Sequence, residues 1–336
     1  MILVLFVGLV AYLSISDYDP ALRTEVDIDQ KSEIIGSSEF VIATWNIGYT
    51  GLGAETDFFM DGGTSVQPTK EHVNKNLKGV LSTISDLNAD IYFLQEIDIN
   101  SKRSYGMDLH NEIADKLPAF SNTYAMNYDV DFVPIPAPPI GKVKSGISTF
   151  SKYQIDEAIR IGFEVNYTWP KKIMHLDRCL SVNELSIAGK NSKLILINLH
   201  LSAYDSDGGL RSAQLKRLKE VMDTHYKLGN YVIAGGDFNQ VFPNADNSKY
   251  PILFPEIYIP ESIDSDYLDA GWSFIFDTTH PTYRLLSAPY DKDIAQVGVI
   301  DGFIISPNVE VIDVETVNQE FAYSDHQPVV ARFKLK

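Results

Sequence analysis

Six places in the sequence put a polar residue capable of chemistry where an apolar run ends. Trp45–Asn46 closes one run, Gln95–Glu96 closes DIYFLQ, and Asn198–Leu199–His200 closes LILINL. Gly235–Gly236–Asp237–Phe238–Asn239 follows YVIA, Asp301 lies within VIDGFII, and Tyr323–Ser324–Asp325–His326–Gln327–Pro328 opens the last run. Singly these mean little. A Glu after a strand is usually a solvent-facing turn residue, a His after Ser-Asp reads first as a structural histidine, and Asp-Phe-Asn after two glycines suits a turn. Jointly they deliver Asn, Glu, His, Asp with Asn, Asp, and Asp with His. Carboxylates set into apolar surroundings are costly unless paired or metal-bound. Oxygen donors of this kind suit a hard cation such as Mg²⁺ or Mn²⁺, which keeps several of its waters. The single cysteine, Cys179, excludes an intrachain disulfide and a cysteine-built zinc site. Beside Leu180 in a strand-like run it reads as a small buried hydrophobe. No G-x-S-x-G elbow supports a serine nucleophile.

Residues so far apart meet only if the elements between them bring strand ends together. Strands are expected at Phe40–Trp45, Asp90–Gln95, Leu194–Leu199, Tyr231–Ala234, Val299–Ile305 and Val329–Leu335. Several are continuous apolar runs, as in strands covered on both faces. Val73, Leu77, Val80, Leu81, Ile84 and Leu87 keep helical spacing within Thr69–Asn88. Leu210–Leu228 does so less strictly and stops at Gly229; Tyr105–Leu117 is a shorter helix candidate. Helices alternate with strands twice over, which predicts an α/β or α+β sandwich, sheets inside and helices outside. Val133–Lys144, with four prolines, reads as an extended semi-rigid loop, and Val241–Asp293 as a long, aromatic, turn-rich one.

The 336 residues carry 45% hydrophobic and 22% charged side chains and a net charge of −17. That composition argues against disorder, and its charge disfavours a nucleic-acid backbone without a local basic patch. No dense Lys/Arg run is present; Lys142 with Lys144, and Lys216, Arg217 and Lys219, form small basic clusters, the second reading as a solvated helix face. Residues Ile2–Leu13 are nearly all apolar, yet about 20 are needed to cross a bilayer, and a basic signal-peptide flank is lacking. Three readings stand: the end of a membrane anchor, an atypical or uncleaved signal sequence, and a buried N-terminal helix. The polar, acidic stretch that follows reads as a spacer and favours the anchor. The expected organisation is therefore an apolar segment over 1–15, a linker over 16–38 and one domain over 39–336. The protein is expected to be a monomer, with the domain on the non-cytoplasmic side of a membrane.

The ordered set TWN, LQE, NLHL, GGDFN, ID and SDHQPV resembles the endonuclease/exonuclease/phosphatase superfamily, from about Phe40 to Lys336. GGDFN and SDHQPV are the specific part. The resemblance implies a single-domain α/β fold, a four-layer α/β/β/α sandwich with the site at one edge of the paired sheets. It implies a divalent-metal-dependent phosphoester hydrolase, a phosphodiesterase or phosphatase, using Mg²⁺ or Mn²⁺. Glu96 resembles the principal metal ligand, with Asn46 close by and Asp325 a candidate further ligand. Asp237 resembles the aspartate that orients or deprotonates the attacking water, and Asn239 the asparagine bonding the phosphate or nucleophile. His326 resembles the phosphate-contacting histidine, paired with Asp301, and His200 a donor to a non-bridging oxygen. Arg178, Arg103 and Tyr128 are further candidates for substrate phosphate, and Asp57–Gly63 for part of the rim. The physics agrees: hydrolysis needs an in-line water, neutralised phosphoryl oxygens and a base. A small-molecule or lipid-linked phosphoester is favoured over nucleic acid. A secreted or anchored nuclease is the alternative, and a non-catalytic binding module the remote one.

Overall fold

The protein is described from a computed structural model covering residues 2–163, 168–203 and 209–336. Two seven-stranded mixed sheets face each other. The first runs in the order Val309–Thr316, Val329–Leu335, Glu39–Asn46, Ile91–Asp98, Gly141–Ser151, Ser121–Val133, Ile28–Asp29. The second runs Arg23–Glu25, Glu157–Gly162, Cys179–Ser186, Lys193–His200, Tyr231–Asp237, Asp301–Ile305, Ser273–Ile275.

The apolar runs explain the layering. Successive side chains of a strand point to opposite faces. In Lys193–His200, Leu194 and Leu196 therefore enter the core between the sheets, where Phe93, Phe303 and Phe333 also meet. Ile195 and Ile197 point the other way, onto Leu218 and Met222 of the helix Gly209–Lys227. On the far side, Leu77, Val80 and Ile84 of the helix Lys70–Leu87 and Ile113 of the helix Leu109–Lys116 cover Trp45, Tyr92 and Leu94 of the first sheet. Helix, sheet, sheet, helix is the expected four-layer sandwich in one domain. Thr69 starts the long helix by accepting a hydrogen bond from the His72 N–H at 3.2 Å. Asn88, in the left-handed region at φ 44°, ends it.

The structure differs from the sequence reading in three ways. The polar segment read as a linker carries Arg23–Glu25 and Ile28–Asp29, which pair with Glu157–Gly162 and Ser121–Val133 at the edges of both sheets. Ile35, within it, is fully buried in the core between the sheets. The folded body therefore begins well before Ser38. The short helix starts at Leu109, capped by Asp108, rather than at Tyr105. Ser121–Val133 and Gly141–Ser151 were not legible as strands, because serines, asparagines and aspartates interrupt them; they pair along most of their length, and only residues 134–140 form the loop between them.

Candidate active site

Glu96 owes its position to a β-bulge. Along Ile91–Asp98, Leu94 pairs with Ser148 and Ile97 with Gly146, leaving one extra residue on the Glu96 side. Bulges re-aim side chains in this way, and Glu96 itself takes φ 57°. Gln95 turns inward and donates to Asn198 Oδ1 of the opposite sheet at 2.8 Å. Glu96 turns into a cavity of about 270 Å³ at the sheet ends.

Asn46 ends the neighbouring strand and bridges the sheets. Its Nδ2 donates to Glu96 Oε1 at 3.3 Å and to Asp237 Oδ2 at 3.1 Å, while its Oδ1 accepts from the Gly48 N–H at 3.0 Å. Gly48 has φ +50°, and a Cβ there would sit 2.7 Å from Asp325 Oδ1. Only glycine allows this turn to close on Asp325.

Asp237 sits between His200 on the parallel strand and Asp301 on the antiparallel one, in direct register with both. The approach of the strands needs Gly236: at φ +149°, a Cβ would lie 1.9 Å from the Leu199 carbonyl oxygen. His200 Nε2 is 3.3 Å from Asp237 Oδ2. His326 arrives from the last strand's approach, with Nδ1 at 2.9 Å from Asp301 Oδ2 and Nε2 at 3.7 Å from Asp237 Oδ2. Trp45 Nε1 donates to the His326 carbonyl at 2.9 Å, and Ser324 Oγ to the Asn46 carbonyl at 2.7 Å. These bonds fix the segment carrying Asp325 and His326 to the first sheet.

The electrostatics divide the two histidines. Burial opposes charge on His326, but Asp301 and then Asp237 overcome it and hold its pKa well above the ordinary imidazole range. Burial, reinforced by Arg178, holds His200 well below that range, as a neutral donor. Burial pushes Asp237 up to about 7, against the pull of His326. Asp301, at the shorter distance, is the principal counter-ion of His326. Asp237, Asp301 and His326 bring ligand atoms within 4.8 Å of one another, but the His326 imidazolium stands between the two carboxylates and offsets one of them. Burial pushes the Asp325 carboxyl up to about 7; His326 and Arg284 pull it down, and neighbouring Glu96 raises it.

Every residue singled out from the sequence lines the cavity except Asp301, which stands behind His326. Asn239, at φ 50°, bonds its own N–H to Asp237 Oδ1 and its Nδ2 to the Leu201 carbonyl, both under 3 Å (2.9 and 2.8 Å). Arg178 donates to the His200 carbonyl at 3.1 Å, and no carboxylate pairs with it among the described residues. Arg103 is committed to Asp98 through two bonds, 3.0 and 2.9 Å, and lies 3.8 Å over the Tyr49 ring. Tyr128 is at the mouth, and Phe58, Met60 and Asp61 bring the Asp57–Gly63 segment onto the wall. Sequence reasoning missed Tyr49, Tyr258, Tyr283 and Arg284. Arg284 is buried and clasps the Leu52, Gly53 and Thr56 carbonyls behind Asp325 at 3.3, 2.9 and 2.9 Å. A lone arginine among apolar and aromatic neighbours was its only signal.

The endonuclease/exonuclease/phosphatase family model matches residues 43–326. Among solved structures, an endonuclease/exonuclease/phosphatase from Beutenbergia cavernae superposes with a TM-score of 0.56 at 16% identity, covering 88% of this chain and 72% of that one. ANGEL2, a 2′,3′-cyclic phosphatase, gives 0.57 at 14% identity, over 93% of this chain and 98% of that one. The human Nocturnin catalytic domain, which holds a sulfate anion, gives 0.55 at 16% identity, over 93% and 98%. No curated protein matches the chain. The family match spans the whole set of strand ends from Asn46 to His326, and the chain belongs to the endonuclease/exonuclease/phosphatase family of hydrolases that act on phosphoesters.

Proposed function

We propose that the protein is a divalent-cation-dependent phosphodiesterase or phosphatase acting on a small-molecule or lipid-linked phosphoester. The observation that carries the reading is the convergence of Glu96 from one sheet and Asp237 from the other on a single amide, Asn46. Glu96 and Asp325 fit a cation: the two carboxylates line one cavity, and Glu96 is among the groups that push the Asp325 carboxyl up, a repulsion that a cation held between them would relieve. Mg²⁺ or Mn²⁺ matches that oxygen set. Asn46 would join it only by giving up the Gly48 bond that now holds its oxygen; as it stands it spaces the two carboxylates.

When bound, such a cation supplies positive charge against the phosphoryl oxygens. The remaining steps belong to the chain. Asp237, its affinity for a proton raised toward neutrality by burial, orients the attacking water and accepts its proton. His326, kept charged by Asp301, and His200, neutral, donate to phosphoryl oxygens as negative charge builds there. Arg178 adds a half-buried positive charge beside His200. No covalent nucleophile is needed.

The substrate preference rests on the cavity walls and on charge. Phe58, Leu176, Tyr258 and Tyr283 give an apolar lining. Lys142 and Lys144 are offset by Asp131 and Asp129 at 3.7 and 3.1 Å, so they form no basic track for a nucleic-acid backbone. The test is turnover of bis-p-nitrophenyl phosphate, phosphoinositides, sphingomyelin and plasmid DNA with Mg²⁺, Mn²⁺ or EDTA. Cation-dependent cleavage of a non-nucleic phosphoester is expected. Plasmid cleavage alone would establish the nuclease reading, and activity undiminished in EDTA would remove the cation.

A further inference from the structure

The N-terminal helix Ile2–Ile15 has no polar face. Its Val4 is 73% exposed, and Val7, Tyr12 and Ile15 also stand in solvent. A helix apolar all round is stable only inside a large core or in lipid, and among its described side chains only Leu13 is buried. Its last turn is pinned to the body at two points. Tyr12 Oη donates to Asp131 Oδ2 at 2.7 Å, and Trp169 Nε1 donates to Ser14 Oγ at 2.9 Å. One residue beyond Val133 the chain enters the loop 134–140, whose Ile135 is 64% exposed; Trp169 is 63% exposed. Helix end, loop and Trp169 segment therefore gather exposed apolar side chains in one region. That region reaches the cavity, since Ile140 and Leu176 from the same two segments line its mouth together with Tyr128.

We infer that this region is a bilayer-docking face that sets the cavity mouth against the membrane surface, where a lipid-linked phosphoester is presented. The inference extends the phosphoester-hydrolase reading by naming where its substrate lies. Tyr12 and Trp169 have the amphipathic rings that settle at a bilayer–water boundary. The charges around them cancel: Lys172 pairs with Asp19 at 2.6 Å and Lys142 with Asp131 at 3.7 Å. Attraction to anionic lipid is thus not the driving force, and apolar partition is. The helix has 14 residues, about 21 Å at 1.5 Å each, and no described helix is long and apolar enough to cross a membrane. Docking of the face does not depend on crossing.

The experiment uses the full chain with phosphatidylcholine vesicles, with and without bromine on the acyl chains, at high salt. Trp45 is buried and Trp272 half-buried, so quenching by brominated lipid reads Trp169. Vesicle binding insensitive to salt, with quenching that vanishes in Trp169→Phe, is expected. Trp169→Glu with Ile135→Glu should weaken partition by about tenfold or more, as burial of one large apolar side chain is worth about that factor. Neither residue lines the cavity, so turnover of bis-p-nitrophenyl phosphate without vesicles should be unchanged. Binding without Trp169 quenching would leave the helix as a tether and overturn the docking face. Failure to bind, with the mass doubling in solution, would show that a second copy covers the region. Absent turnover with quenching intact would sink the hydrolase reading and leave the docking face standing.

Discussion

His326 and Asp301 work as a unit, because the charge on one exists through the other. Removing the donor should cost about 10²–10³ in turnover, the usual loss for a preorganised donor at a developing charge. His326→Ala is expected to show it in kcat on a soluble diester. Asp301→Asn should lower kcat too, and the double variant should be little worse than His326→Ala, since partners in one interaction are not additive. Losses that multiply would mean the two residues act separately. Glu96 carries a different expectation. Glu96→Gln keeps the shape and removes the charge, so kcat should fall by about 10² or more, and the Mg²⁺ needed for half-activity should rise. Unchanged Mg²⁺ dependence would take Glu96 out of the cation site. That these residues meet at one cavity was legible from their types and their order along the chain. Arg284, Tyr258 and Tyr283 were not, since Tyr258 lies in a loop and Tyr283–Arg284 in a two-residue strand, both too short or irregular for periodicity to encode.

The strand and helix cores were readable where an element is covered on both faces, as Leu194–Leu199 shows. What periodicity does not reveal is the local distortion that makes a site. The bulge at Glu96 is invisible in IYFLQEID, which reads as an even strand. Gly235–Gly236 was visible, yet it reads as a turn, whereas Gly236 lies inside the strand Tyr231–Asp237 to let Leu199 pass. Gly236→Ala would meet rigid backbone at 1.9 Å in a φ that side chains avoid. It should cost about 2–4 kcal/mol, in the range of backbone strain plus overpacking. Chemical denaturation measures it; a midpoint within error of the wild type would mean that the strands can separate without cost.

At the scale of the molecule, the reading of residues 16–38 as a linker failed for a physical reason. Edge strands need few apolar residues, because one side of the strand stays in water, and a short polar segment that pairs at an edge looks like a spacer. Ile35 is the telling residue, fully buried between the sheets. Ile35→Ala should cost about 2–5 kcal/mol, as for other buried aliphatic truncations. A chain starting at Ser38 should be less stable still, because it also loses both edge strands. A chain starting at Leu22 should match the full body in a denaturation curve. Equal stability of all three would return the segment to the status of a tether.

The first sheet is closed last. Glu39–Asn46 lies beside Val329–Leu335, so this early strand waits for one nearly 300 residues later in the chain. Asp325 and His326 travel with that stretch. Asn46, Glu96, His200, Asp237 and Asp301 all precede them in the chain. A chain stopped before Asp325 therefore holds a cavity lined by Glu96 and Asp237 but lacking Asp325 and His326, and on the proposed reading it should turn over no phosphoester.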